Sequence, residues 1–321
     1  MKDILELAQQ VDPKSQQNLI STLSGGFSSQ AYKVDISENP FVLLVERSGG
    51  VGESNYGHAY VVLTLLNRHG IAHVPKALWL KDDHKALALS FDTGVASDAF
   101  NFSQSNVNTE QLAIDVIDNL LDAATVTWNE YEQLANELNV AVLPPQTPQD
   151  SARQYGVEWL EIVKANCPDS EIVAWLEPRV QRSVALAEKL GDNAPTFGHG
   201  DPSNPNILVC NDSSFTLIDW DSARFHTSGP EFYVAYTTHL TDFMKPYRQI
   251  LIEHVARRLG VSVTEFAQRV EDFRRYSEIF DVNWAAMMMA KVSSGETVGD
   301  IDHFRAIALE RIKIYEESFE G

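Results

Sequence analysis

Cysteine is nearly missing from this chain. Two residues, Cys167 and Cys210, in 321 positions cannot frame a disulfide scaffold, so the fold must rest on apolar burial. Basic residues are scarce too: 25 Lys and Arg stand against 45 Asp and Glu, a formal charge of −20. Such a surface repels phosphate backbones and anionic headgroups, which argues against nucleic acid or a membrane as partner, and it draws in cationic small molecules. No apolar run reaches the length of a spanning helix. The opening, MKDILELAQQVDPKSQQ, lacks the apolar core of a signal peptide, and a cytoplasmic enzyme is the expectation. Internal repeats and low-complexity tracts do not occur. What is present is an apolar fraction of 44%, enough for ordinary cores, in a length that suits two lobes.

The chain is organised around Phe197–Asp221, FGHGDPSNPNILVCNDSSFTLIDWD. A polar loop, His199–Asn206, runs into an apolar stretch, Ile207–Cys210. Turn formers follow at Asn211–Ser214, then a second apolar stretch, Phe215–Ile218, ending at Asp219. Two short apolar runs around an Asn/Asp/Ser cluster predict a β-hairpin. If Cys210 pairs with Phe215, Asn206 faces Asp219, and directly opposed residues sit roughly 5 Å apart at Cβ. Two hard oxygen donors at that spacing suit Mg²⁺, which keeps waters and is completed by substrate phosphates. Asp201 lies on the loop feeding the hairpin, within reach of the same spot and able to take a proton from a hydroxyl. Taken singly, Asp and Asn in loops serve as turns and caps.

The run H-G-D-x-x-x-x-N followed by I-D-W after a hairpin resembles the aminoglycoside phosphotransferase and choline-kinase-like family of small-molecule kinases. The resemblance implies an α+β, bilobal protein-kinase-like fold with a small antiparallel-sheet N-lobe over residues 1–94 and a mostly helical C-lobe over 95–321. It implies Asp201 as the catalytic Asp, Asn206 and Asp219 as metal ligands, and ATP and Mg²⁺ as cofactors, with His199 and Gly200 shaping the loop. The Gly25-Gly26 turn in LISTLSGGFSSQAYKVDI resembles the family's nucleotide-covering loop, its tip running Ser24, Gly25, Gly26, Phe27, Ser28, Ser29, whose backbone N–H groups would hold phosphate oxygens. Asp92 opens the linker whose backbone would meet the adenine.

Three positions depart from the family. The strand Phe41–Glu46 places Leu44 where the family carries a basic residue for the nucleotide phosphates. Arg47 and Lys33 are the basic residues close by: Arg47 could replace it if the register slips or its side chain curls back, and Lys33 could serve from the neighbouring strand or simply face solvent. The following helix, expected over Glu53–His69 from apolar spacing, has no carboxylate at His58–Ala59, where the family has a Glu; Glu53 is the nearest. Downstream, Tyr233 stands where the family has an Asp, with Glu231 two residues earlier, and Asp221 and Arg224 form a local ion pair or approach the metal shell.

The rest reads as helices: from Val107, over Trp128–Val140, Gly156–Asn166, Ser170–Leu190 with Pro178 as a kink or restart, Lys245–Arg258, Val263–Phe273, Tyr276–Ala290 and Asp300–Phe319. In the resembling family the C-terminal helices wall the acceptor pocket, and Asp242, Glu278 and Asp281 would attract an amine-bearing acceptor. The reading is therefore an ATP-dependent kinase for a small-molecule hydroxyl: an aminoglycoside, amino alcohol, sugar or related metabolite. Its rivals are a weak or inactive kinase-like nucleotide-binding or regulatory module, supported by Leu44, and a metal-assisted hydrolase, which would not need a Gly-rich flap.

Overall fold

The structure, a computed structural model, describes residues 2–23, 29–36, 39–46, 55–190 and 193–319. The expected nucleotide loop at 24–28, with Arg47 and Glu53, lies outside them. The chain divides into two compact units: Met1–Pro144 with Phe197–Arg224, and Pro145–Thr196 with Phe225–Gly321.

The first unit is built on a five-stranded antiparallel sheet in the order β1-β2-β3-β5-β4, from β1 (Ile20–Thr22), β2 (Ser29–Val34), β3 (Phe41–Glu46), β4 (Ala77–Leu80) and β5 (Ala86–Ser90). Alternation decides its faces. Phe41 and Leu43 of β3, with Val34, Ala86 and Ala88, form a core cluster with Ile4 and Ala8 of helix α1 (Lys2–Val11), while Leu7, Val11 and Val45 pack at its margin. Ile4, Leu7, Ala8 and Val11 share one helical face, so α1 covers the sheet with a single apolar stripe. Fully burying a side chain such as Leu43 contributes roughly 2 kcal/mol. Helix α2 (Tyr56–Arg68) packs on β4 and β5.

Within the same unit β6 (Val95–Ala96) pairs with β8 (Ile207–Val209), which pairs with β9 (Phe215–Leu217); β7 (Thr196–Gly198) leads into the loop before them. The hairpin forms, but its register is one residue from the expected one: Val209 opposes Phe215 and Ile207 opposes Leu217. The reason lies in the turn. Cys210 N–H donates to the Ser214 carbonyl at 2.9 Å, the Asp212 carboxylate accepts from Ser214 N–H at 3.0 Å, and Ser213 adopts φ 70°, so the connection closes over Asn211–Ser213. Asn206 is thereby matched to Ile218, whose N–H donates to the Asn206 carbonyl at 2.9 Å. The outer edge of β9 is covered: Leu217 N–H donates to the His73 carbonyl at 2.8 Å, and the His73 ring stacks on Phe215 at 4.1 Å.

The first unit also contains α3 (Thr109–Ala123), capped by Asn108, and α4 (Trp128–Glu137), opened by a Thr127–Glu130 capping box. The second unit is helical: α5 (Pro148–Ser151), a π-turn segment at Ala152–Glu158, α6 (Trp159–Asn166), α7 (Ser170–Leu190), α8 (Pro230–Leu240), α9 (Arg248–Leu259), α10 (Val263–Ser294) and α11 (Ile301–Phe319). Two expectations change here. Pro178 sits inside α7 without ending it. The helices expected at Val263–Phe273 and Tyr276–Ala290 are one helix of 32 residues. The charged joint is satisfied along the helix itself, Arg274 donating to Glu278 at 2.8 Å and to Glu271 at 2.9 Å. Helix α10 is the post against which α6, α7, α8, α9 and α11 pack, and Met287, Met288 and Met289 are buried in it. Both cysteines are free. Among the described residues no helix is long and apolar enough to cross a membrane.

Candidate active site

Three sequence-predicted residues meet in the first unit. Asn206, buried at the mouth of the hairpin, donates from Nδ2 to the Asp201 carboxylate at 3.0 Å, to the Asp201 carbonyl at 2.9 Å and to Ser203 Oγ at 3.3 Å. With its nitrogen so engaged, the amide oxygen is the end left to offer a cation. The loop is tied from the far side as well: Ser97 Oγ donates to the Asn204 carbonyl at 2.9 Å.

Asp219 does not face Asn206 directly, because of the register. It leaves β9 in the left-handed region at φ 65°, ψ 57°, sparsely populated for a side-chain-bearing residue. That twist turns its carboxyl towards Asp201 and Asp221. Asp219 is pushed up from 3.8 to about 8, first by burial of the carboxyl and then by the charges of Asp221 and Asp201, with a hydrogen bond to Asp221 acting in the same direction. Asp221 is raised too, by burial. Asp219 nevertheless keeps surface open to solvent, as a ligand for an arriving cation must.

The donor set passes the chemical test for Mg²⁺. Three carboxylates and an amide oxygen are hard donors, and their mutual repulsion is the kind a divalent cation relieves. Among the described residues no three His, Cys, Asp or Glu side chains form a ready-made metal cage; a site completed by water and phosphate oxygens needs none.

Two buried histidines brace this arrangement. His199, 1% exposed, donates from Nε2 to the Ile218 carbonyl at 2.9 Å, while its Nδ1 accepts from Asp201 N–H at 3.3 Å. It packs on Trp220, ring centroids 4.4 Å apart, and Trp220 donates to the Leu217 carbonyl at 2.8 Å. Gly200 follows at φ 85°, where a Cβ would overlap the Ser222 carbonyl. His58 of α2 bonds the Ala223 carbonyl through Nε2 and Tyr131 Oη through Nδ1, the latter at 2.9 Å. Burial drives both histidines down from 6.5 to about 4.

These groups are therefore neutral at pH 7. The unfolded chain binds their protons near pH 6.5 and the folded chain only near 4, so the stability they carry is full above the first value and lost as pH falls through the second. The thermal midpoint of a His58→Gln variant, lower than that of the wild type at pH 7, should close on it as pH drops to 4; a constant gap would contradict this.

The other expected residues fall as follows. Leu44 lies on β3 between Ala31 and Leu87. Lys33 is engaged elsewhere, its Nζ 3.2 Å from Asp35 and 4.4 Å from the centre of the Phe91 ring. Ser29 Oγ accepts from Tyr56 Oη at 2.8 Å. Asp92 is raised by burial, an effect opposed by its hydrogen bond with Thr216. Asp221 turns to Asp219 and Ser222, while Arg224 exerts its charge on His58 and Tyr131, so of the two alternatives the local ion pair is not the one formed. In the second unit Glu231 pairs with Arg269 at 2.9 Å, and buried Tyr233 donates to the Thr196 carbonyl at 3.2 Å. Glu278 and Asp281 flank His239 at 3.5 and 2.6 Å; Asp242 pairs with Lys245 at 2.6 Å.

The sequence alone assigns no role to His58 and only alternatives to Asp221. The D-W-D spacing is the signal for Asp221, but its meaning depends on the left-handed turn at Asp219. No curated protein matches the chain in a sequence comparison. Solved structures do. A choline/ethanolamine kinase family protein from Mesorhizobium loti aligns at TM-score 0.68 and 12% identity over 100% of this chain and 96% of its own. Plasmodium vivax ethanolamine kinase aligns at 0.65 and 14% over 98% and 86%. A spectinomycin phosphotransferase, in complex with ADP and spectinomycin, aligns at 0.60 and 17% over 99% and 94%. They share the kinase-like α+β fold. The model of the phosphotransferase enzyme family matches residues 20–277, and with the loop, hairpin and carboxylates placed as above, the chain belongs to that family.

Proposed function

We propose that this phosphotransferase moves the terminal phosphoryl group of ATP to a hydroxyl of a small molecule. The observation that carries the reading is the Asp201 carboxylate, oriented by the Asn206 amide at 3.0 Å and close enough to Asp219 for its charge to be felt there. Asp201 orients the acceptor hydroxyl and takes its proton. Asn206 and Asp219, with Asp221 beside them, would hold Mg²⁺. The ion, when bound, neutralises charge on the phosphates during transfer. Residues Ser24 to Ser29 cover those phosphates, Arg47 replaces the missing strand cation, and the backbone at Asp92 meets the base; the lobe boundary is placed at 94. The acidic surface favours a cationic acceptor such as an amino alcohol or aminocyclitol, and a cytoplasmic location belongs to the same reading.

Asp201→Asn should lower turnover by about 10²- to 10⁴-fold and leave Mg-ATP binding intact by calorimetry. Unchanged turnover rejects Asp201 as the base. Nucleoside diphosphate release with ATP and with GTP, across a panel of small alcohols, amino alcohols and aminocyclitols, tests the activity itself. A second reading, a weak or inactive nucleotide-binding module, is favoured by Leu44 on β3 and by the engagement of Lys33 with Asp35. A folded protein that binds no Mg-ATP would decide for it.

A further inference from the structure

The segment that carries Asp219 and Asp221 is an arc from Ile218 to Ala223. Its centre, Trp220, is buried against His199 and Phe197. Its entrance is held by His199 at the Ile218 carbonyl. Its exit is held by a residue from a different part of the chain: His58 reaches the Ala223 carbonyl across 165 positions of sequence.

The direction of each bond follows from chemistry. A carbonyl can only accept, so His58 Nε2 carries the proton. Nδ1 of the neutral ring is then bare and accepts from Tyr131 Oη–H. Tyr131 Oη in turn accepts from Leu143 N–H at 3.1 Å. The result is a one-way chain of donors, Leu143 to Tyr131 to His58 to Ala223, running from the loop after α4, through α2, to the carboxylate arc. His58 is 0% exposed and Ala223 0% exposed, so water cannot replace the last bond. The helix is also anchored at its first residue, where Tyr56 bonds Ser29 at the start of β2.

We infer that His58 is a positioning residue for the carboxylate arc: its Nε2–H fixes the Ala223 carbonyl and thereby the direction in which Asp219 and Asp221 point. It stands on the helix where the resembling family places a carboxylate, in a chain whose facing strand carries Leu44. Here α2 communicates with the site through an uncharged hydrogen bond to the loop itself. The kinetic consequence rests on the kinase reading above; the hydrogen bond does not.

The variants follow from the reach of amide side chains. Gln places a donor near the position of Nε2, and Asn stops near Nδ1. His58→Asn should lower kcat by about 10- to 100-fold and weaken the Mg²⁺ dependence similarly, the range for groups that support metal ligands, with little change in the acceptor KM. His58→Gln should restore most of kcat. Backbone amide exchange over residues 218–223 should quicken in His58→Asn and remain slow in His58→Gln, with or without nucleotide. Equal losses in both variants would reduce His58 to core packing and overturn the inference, as would unchanged exchange in His58→Asn. If neither variant folds, the wild-type nitrogen–proton spectrum decides: a proton on His58 Nε2 supports the inference, and one on Nδ1 overturns it. Should the wild type phosphorylate nothing, the kinase reading falls while exchange and tautomer still judge the bond.

Discussion

Asp219→Asn is expected to abolish phosphoryl transfer and, in the absence of divalent cations, to raise the thermal midpoint at pH 8. The two effects have one source. Burial of the Asp219 carboxyl, and after it the charges of Asp221 and Asp201, make it resist ionisation up to about pH 8 rather than 3.8. Between those values the folded chain holds a proton that the unfolded chain has released. The stability this provides is full below about pH 4 and is lost as pH rises through 8. An Asn keeps the shape and cannot ionise, which removes the charge that burial and the neighbouring carboxylates penalise, so the difference in midpoint between variant and wild type should grow across that interval. Loss of an oxygen donor suited to the cation should cost at least about 10²-fold in kcat. Addition of Mg-ATP should stabilise the wild type and not the variant. Full turnover in the variant would remove Asp219 from the proposed metal site, and a midpoint difference that shrinks from pH 4 to 8 would show that burial and the neighbouring charges do not hold its carboxyl protonated.

Gly200→Ala should be among the most damaging single-methyl additions in the chain. At φ 85° an alanine is already strained by the left-handed backbone, and its Cβ would also overlap the Ser222 carbonyl. Strain and overlap together should cost more than about 3 kcal/mol. Whatever fraction folds should be inactive, because the overlap separates the loop bearing Asp201 from the arc bearing Asp219 and Asp221. Gly70 supplies the control: it has φ 70°, and a Cβ added there would meet nothing within 4 Å, so Gly70→Ala bears strain alone, roughly 1 kcal/mol. Urea unfolding of the two variants separates the terms. Equal costs would mean that Gly200 matters only for its backbone angle.

Much of this fold was legible in the sequence wherever local pattern and tertiary burial agree. The strand Phe41–Glu46 has its expected bounds, and the residue order over His199–Asn206 pointed to the family whose model matches the chain. The hairpin register was not legible, because it turned on Ser213 entering the left-handed region, a choice that many Asn/Asp/Ser clusters leave open. The division of α10 failed for a related reason. Arg274 and Arg275 look like a break when read as exposed charge, but Arg274 is 9% exposed and saturated by carboxylates one turn away. His58 was beyond any local reading, since its partners Tyr131 and Ala223 lie on other elements.

The hydrogen bonds from the Asn206 amide to Asp201, from His199 to Ile218, and between His58 and both Tyr131 and Ala223 begin and end within one of the two compact units. The second unit, which contains α5 to α11, shares none of those bonds. Substitutions confined to that unit therefore leave these particular bonds, and the local geometry they impose, intact.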